Sequence, residues 1–184
     1  MQDPYVRLRG RELYRNPWLA VEAHEIVHPN GAPGEHLLVV IPQACAVVVE
    51  DGDDLLFTRQ PRFAARRWVV EVVKGGADAG ETPLECARRE LREELGASAR
   101  RWTALGHLYE IPSIVNEPLN VFLASEITLE TPDPEVQESI DLVRIAARDA
   151  IAAAAAGEID DAVTVAALFR YATATGRLRT APEA

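Results

Sequence analysis

The sequence predicts a mixed α/β (α+β) domain preceded by a short β appendage. Three observations predict it. Alternating or β-branched runs of strand length, separated by turn signals, fill the first 73 residues. Over residues 82–95 the pattern changes to an amphipathic helix. Two further helical patterns close the chain.

In order, residues 5–9 and 18–23 read as strands, and Pro29-Asn30-Gly31 turns the chain into a strand over residues 36–41. Residues 44–50 form an apolar run that Asp51-Gly52-Asp53 folds back into residues 55–60, a central hairpin. Residues 68–73 are rich in β-branched side chains, and Gly75-Gly76 with Asp78-Ala79-Gly80 then break the chain. Thr82 suits a helix N-cap, Pro83 the first helical position and Glu85 the acidic third position of a capping box. Leu84, Ala87, Leu91 and Leu95 recur at three and four residues, and Gly96 stops the helix. Residues 101–110, 119–125 and 137–145 are further strands. Residues 147–156 and 162–174 are helices, the first rich in alanine, the strongest helix former. Residues 1–41 are too short to fold alone, so the expected organisation is an appendage over 1–41 and one domain over 42–184.

Composition narrows the function classes. With 48% hydrophobic and 26% charged residues over 184 positions, the chain is globular and can bury a core without staples. Lys and Arg number 19 against 29 Asp and Glu, a net charge of −10. Such a protein is a poor partner for nucleic acid or an anionic membrane, and a phosphate-bearing ligand would need a cation as mediator. Cys45 and Cys86 are far apart in sequence without metal-ligand spacing, which fits a reduced, cytoplasmic protein. No apolar run reaches the ~20 residues that span a bilayer, and the N-terminus shows no secretory pattern.

Chemistry concentrates in residues 75–97, GGADAGETPLECARRELREELGA. At about 100° per residue, Glu90 and Glu94 point within about 40° of each other, with Glu93 about 60° to the other side of Glu90. Like charges at this spacing destabilise a helix, and acids near its C-terminus oppose the dipole. A bound cation offsets both costs, and hard oxygen ligands suit Mg²⁺, with Mn²⁺ as a substitute. The helix alone equally reads as a solvated face laced by Glu85/Arg88/Arg89 and Arg89/Glu93 ion pairs.

The spacing around it is more specific. Gly75, Glu81, Arg89, Glu90, Glu93, Glu94 and Gly96, with Leu91 and Ala97 at the variable apolar positions, resemble the signature of the Nudix hydrolases. These enzymes hydrolyse nucleoside diphosphates linked to another moiety. Flanking segments are similar to the branch that acts on ADP-ribose and nucleoside diphosphate sugars: Glu71-Val72-Val73-Lys74-Gly75, Arg59-Gln60-Pro61-Arg62, and residues 109–117, 121–125 and 157–162. Val73 stands where that branch usually has proline, and Ser113-Ile114 follows Pro112 where it usually has glycine, which leaves the leaving moiety open.

The resemblance implies a Nudix fold, a mixed β-sheet sandwiched between helices, and Mg²⁺-dependent hydrolysis of ADP-ribose or a related nucleoside diphosphate sugar. Hydrolysis of GDP-mannose or a dinucleoside polyphosphate is the alternative, and a non-catalytic nucleotide-binding module a more distant one. By the same resemblance Glu90 and Glu94 are the principal metal ligands, with Glu93 and the backbone carbonyl of Lys74 as further ligands. Arg89 orients the carboxylates, or is a plain surface ion pair. Glu138 best matches the general base, with Glu135 and Glu117 behind it; all three otherwise read as solvated loop acids. Arg62, Glu71 and Glu117 are candidate substrate contacts. Trp18 is a candidate for stacking on a base, lent to a partner subunit by an exchanged appendage, so a homodimer is expected.

Overall fold

A computed structural model describes residues 3–129 and 139–178. The chain divides into two compact units, one of residues 1–43 and 109–118, the other of residues 44–108 and 119–184.

The first unit is built on a three-stranded antiparallel sheet in the order β1 (Val6–Arg15), β2 (Ala20–Val27), β3 (Pro33–Val40). The turn between β2 and β3 closes as its Pro-Asn-Gly sequence predicts, with Gly31 at φ +85° and the His28 N–H donating to the Ala32 carbonyl at 2.8 Å. Residues 109–118, which the sequence grouped with the downstream domain, belong to this unit. The Val39 N–H donates to the Ile114 carbonyl at 2.7 Å, and the Ile41 N–H to Asn116 Oδ1 at 3.0 Å. β1 is exposed along its whole length and presents Val6, Leu8, Leu13 and Tyr14 to solvent.

The second unit contains the other elements: β4 (Ala44–Asp51), β5 (Asp54–Arg62), β6 (Arg67–Glu71), β7 (Val73–Gly76), α1 (Pro83–Leu95), β8 (Ala97–Leu108), β9 (Leu119–Leu129), β10 (Asp141–Ala146), α2 (Ala147–Ala156) and α3 (Ala162–Ala174). The sheet runs β10-β5-β4-β9-β8, with β6 on β5 and β7 on β4. β4 and β9 are parallel and the remaining pairs antiparallel, so the sheet is mixed.

Side chains alternate across a strand, and β4 shows what each face covers. Cys45, Val47 and Val49 pack with Leu56, Val73 and the α1 stripe of Cys86, Ala87, Leu91 and Leu95. Ala46 and Val48 pack with Phe57, Val121 and, from α2 and α3, Ala150, Val163, Leu168 and Tyr171. A strand buried on both faces reads as a continuous apolar run, which Ala-Val-Val-Val is. The sheet is therefore sandwiched between α1 on one face and α2 and α3 on the other, as the fold class predicts. Among the described residues no helix is long and apolar enough to cross a membrane.

α1 forms as its capping box predicts. Glu85 Oε2 accepts from the Thr82 N–H at 2.8 Å, and Gly96 ends the helix at φ +56°, its N–H reaching the Arg92 carbonyl at 2.9 Å. One expectation fails informatively. Gly75-Gly76, read as a break, forms the end of β7 and pairs with Cys45 and Ala44 of β4. The pairing is set by the partner strand, and the missing side chains serve a steric end given below.

Candidate active site

Glu90, Glu93 and Glu94 stand on α1, whose buried stripe fixes the rotation of the helix. Glu94 is 5% exposed, and Gln60 Nε2 of β5 donates to its Oε1 at 3.2 Å. A Cβ on Gly75 would overlap the Glu90 carboxylate, so β7 passes this side chain only because it carries none there. Replacing Gly75 with Ala should therefore displace Glu90 or push β7 off β4. The expected result is at least a hundredfold loss of kcat with a lowered melting temperature, checked by kinetics and thermal unfolding of the same preparation.

Arg89 ties the acids together. Its Nε and Nη2 donate to Glu81 at 3.1 and 3.0 Å, its Nη1 to Glu90 at 2.8 Å and Glu93 at 2.9 Å, and Nη2 also to the Gly76 carbonyl at 2.7 Å. The fork to Glu81 comes first among the causes that raise the Arg89 pKa, and it lowers that of Glu81. The side chain is 20% exposed, so the pairs are partly shielded from solvent. The Arg89–Glu93 pair of the ion-paired reading is present, and it is one part of a half-buried cluster that also takes in Glu81 and Glu90.

A second charged chain crosses behind the box. Glu71 is 3% exposed, and its carboxylate accepts from Arg62 Nε at 2.9 Å and lies 3.2 Å from Lys74 Nζ. Burial is the largest single effect on the Arg62 cation and opposes it, but the bond to Glu71 and the charges of Glu71, Glu94 and Asp161 together outweigh it and raise the guanidinium pKa. Lys74 Nζ also donates to Asp161 Oδ1 at 3.0 Å. Asp161 is the N-cap of α3: its Oδ2 accepts from the Thr164 N–H at 2.9 Å, while Thr164 Oγ1 accepts from the Val72 N–H at 3.0 Å. The start of α3 is thus pinned to the segment that leads into Gly75.

Burial raises the pKa of Asp161, yet Lys74 and Thr164 more than offset it and leave the carboxyl below its ordinary 3.8. A folded-state pKa below the unfolded one contributes stability that is present above about pH 4 and lost as pH falls through the folded value. Asp161→Asn keeps an N-cap but not the charge. Denaturant titrations at stepped pH should show this variant less stable than wild type by about 1 kcal/mol at pH 7. The gap should close as pH falls through the folded-state value, which lies below 3.8.

The structure brings together Glu90, Glu94, Glu93, Arg89, Lys74, Arg62 and Glu71 in one unit. Trp18 and Glu117 lie in the other unit. There Trp18 is 72% exposed, and Glu117 accepts from Asn116 Nδ2 at 2.8 Å and lines a cavity of about 690 Å³ with Tyr5, His24, His36, Tyr109 and Ser113. Glu138 and Glu135 lie outside the described residues. Gln60 and Asp161 had no assigned role in the sequence reading, although Asp161 stands where a helix N-cap belongs. Cys45 and Cys86, distant in sequence, meet in the core with their sulfurs 3.2 Å apart. The Cys86 partner, with burial, pushes the Cys45 thiol far up, which disfavours its reactive thiolate.

Three glutamates on one helix face give an all-oxygen donor set that fits a hard divalent cation, and Gly75 leaves room for backbone to approach Glu90. Among the described residues no three acidic, imidazole or thiol side chains already converge as a cage, because Glu90 and Glu93 turn to Arg89.

Comparison with known proteins agrees with this geometry. The NUDIX domain model matches residues 40–168, and the model of the nucleoside diphosphate sugar hydrolase N-terminal domain matches residues 5–38. An ADP-ribose pyrophosphatase of Bacillus subtilis is 28% identical over 85% of this chain and 86% of its own length. The ADP compounds hydrolase NudE of Escherichia coli is 27% identical over 78% of each. A crystal structure of an ADP compounds hydrolase superposes with a TM-score of 0.82 at 24% identity, covering 97% of this chain and 99% of that one, a likeness of fold. With the acid-bearing helix, its arginine and the glycine beneath them in place, the chain belongs to the Nudix family of hydrolases.

Proposed function

We propose that the protein hydrolyses the diphosphate bond of ADP-ribose or a related nucleoside diphosphate sugar in the presence of Mg²⁺, giving a nucleoside monophosphate and a sugar phosphate. The observation that carries this is the carboxylate face of α1, with Glu90 lodged over Gly75 and Arg89 spanning Glu81, Glu90 and Glu93. The activities named for the Bacillus subtilis and Escherichia coli relatives support the substrate class.

In this reading Glu90, Glu94 and Glu93, with the backbone carbonyl of Lys74, would hold the divalent ions. When bound, these neutralise the diphosphate and acidify water. Arg89 holds the carboxylates apart and aimed. Arg62, tethered by Glu71, offers the face of its guanidinium fork not used by that carboxylate to a phosphate oxygen. A glutamate outside the box, Glu138 first, accepts the proton of the attacking water. The exposed apolar face of β1 supports a homodimer, which light scattering would show as twice the chain mass.

Incubation of the protein with ADP-ribose and Mg²⁺ should yield AMP and ribose 5-phosphate. Absence of product from ADP-ribose and from a panel of nucleotide sugars would refute the reading.

A further inference from the structure

We infer that Gln60 and Thr58 are positioning residues for Glu94: a chain of hydrogen bonds through the core holds that carboxylate in the orientation in which it meets a divalent cation. The inference rests on the metal-dependent hydrolase reading above and names residues that serve the same site from behind.

One face of β5 changes character along the strand. Side chains alternate, so Leu56, Thr58, Gln60 and Arg62 share that face. Leu56 packs with Leu91 and Leu95 of α1, as a core position does. Thr58 and Gln60 follow at 0% and 5% exposed. A buried hydroxyl or amide costs free energy unless it is hydrogen-bonded, and here each bond leads to the next.

The chain has a direction. Thr58 pairs with Glu71 across β5 and β6, and its Oγ1 donates to the Glu71 carbonyl at 3.3 Å. A hydroxyl has one proton, so toward Gln60 the same oxygen accepts, from Nε2 at 3.3 Å. Gln60 Nε2 carries a second proton, which goes to Glu94 Oε1 at 3.2 Å. With the amide turned over, its oxygen would face a carboxylate and a hydroxyl whose proton is engaged, and neither could donate. Thr58 therefore fixes the amide of Gln60, and the amide offers Glu94 one donor in one place.

The far end is anchored as well. Next to Glu71, the Val72 N–H donates to Thr164 Oγ1 of α3 at 3.0 Å. Among the described residues the buried polar side chains are Thr58, Gln60, Glu71, Glu94 and Thr164, and all five belong to this connected set. Well-packed apolar residues of similar volume would serve stability as well. Polar groups gathered in a line that ends on a carboxylate of the box serve its orientation. A partner behind a metal ligand fixes how that ligand points, and its loss costs about 10–100-fold in metal affinity or activity.

The test titrates Mn²⁺ into the substrate-free protein and reads the free ion by electron paramagnetic resonance. Wild type is compared with Gln60→Met, Thr58→Val and Thr58→Ser. Methionine keeps the length of the side chain and removes both N–H groups, so the Kd for Mn²⁺ should rise at least tenfold. A smaller rise in the folded variant overturns the inference and leaves the hydrolase reading intact. Thr58 hydrogen-bonds to Gln60 and the Glu71 carbonyl, and reaches Glu94 through Gln60. Valine keeps its shape without the hydroxyl, and serine keeps the hydroxyl without the methyl. Valine should raise the Kd at least threefold and serine less than twofold. A smaller effect of valine, or serine matching it, assigns Thr58 to packing and overturns the inference. This pair decides alone should Gln60→Met fail to fold. Wild type that binds no Mn²⁺ refutes the metal-dependent reading itself, and the inference with it.

Discussion

Glu94→Gln is expected to lower kcat by about a thousandfold, about 4 kcal/mol of barrier, with folding intact. The substitution is nearly isosteric at a site that is 5% exposed, and the new amide oxygen can still accept from Gln60 Nε2, now 3.2 Å from Glu94 Oε1. What it removes is the charge. A carboxylate buried beside Gln60, and close enough to Arg62 to raise the guanidinium pKa, is a hard oxygen donor of the kind a divalent cation takes. Melting temperature and circular dichroism should change little, and KM by less than kcat. A variant that retains more than a tenth of wild-type kcat would assign Glu94 to packing.

Arg89→Ala should damage both stability and activity. The guanidinium makes five hydrogen bonds to oxygen, on Glu81, Glu90, Glu93 and the Gly76 carbonyl. Its loss leaves three neighbouring carboxylates without the cation that separates them, at about 2 kcal/mol for a partly exposed cluster. The same loss frees Glu90 and Glu93 to leave their orientation, so kcat should fall about a hundredfold. Arg89→Lys is the informative companion. It restores the charge but not the planar fork, and a single ammonium cannot serve Glu81 and Glu93 in the same geometry. Lysine should recover most of the melting temperature and little of kcat. Equal recovery of both would make Arg89 a plain ion-pair partner.

Much of this was legible locally. α1 carries its own limits: Thr82 and Glu85 cap one end, Gly96 the other, and the Leu91–Leu95 stripe sets the buried face. The carboxylate face follows from helix geometry, while its reading as a metal-binding box rests on the resemblance to the Nudix signature. The bounds of α2 follow from its Ala-rich composition in the same way, whereas the Asp161 cap of α3 was not read from the sequence. What escaped the sequence depends on distant partners. Gly75-Gly76 reads as a break until β4 pairs with it. The meeting of Cys45 with Cys86, the bond from Gln60 to Glu94 and the bridge from Lys74 to Asp161 join residues 34 to 87 positions apart. Residues 109–118 read as a loop of the larger domain because nothing in their composition signals the hydrogen bonds to Val39 and Ile41.

Anomalous scattering from crystals soaked in Mn²⁺ tests the central claim most directly. The account predicts a peak at ligand distance from the Glu90 and Glu94 carboxylates, with Arg89 still bonded to Glu81, and its loss in Glu94→Gln. A wild-type map with ordered carboxylates and no peak beside them would contradict it.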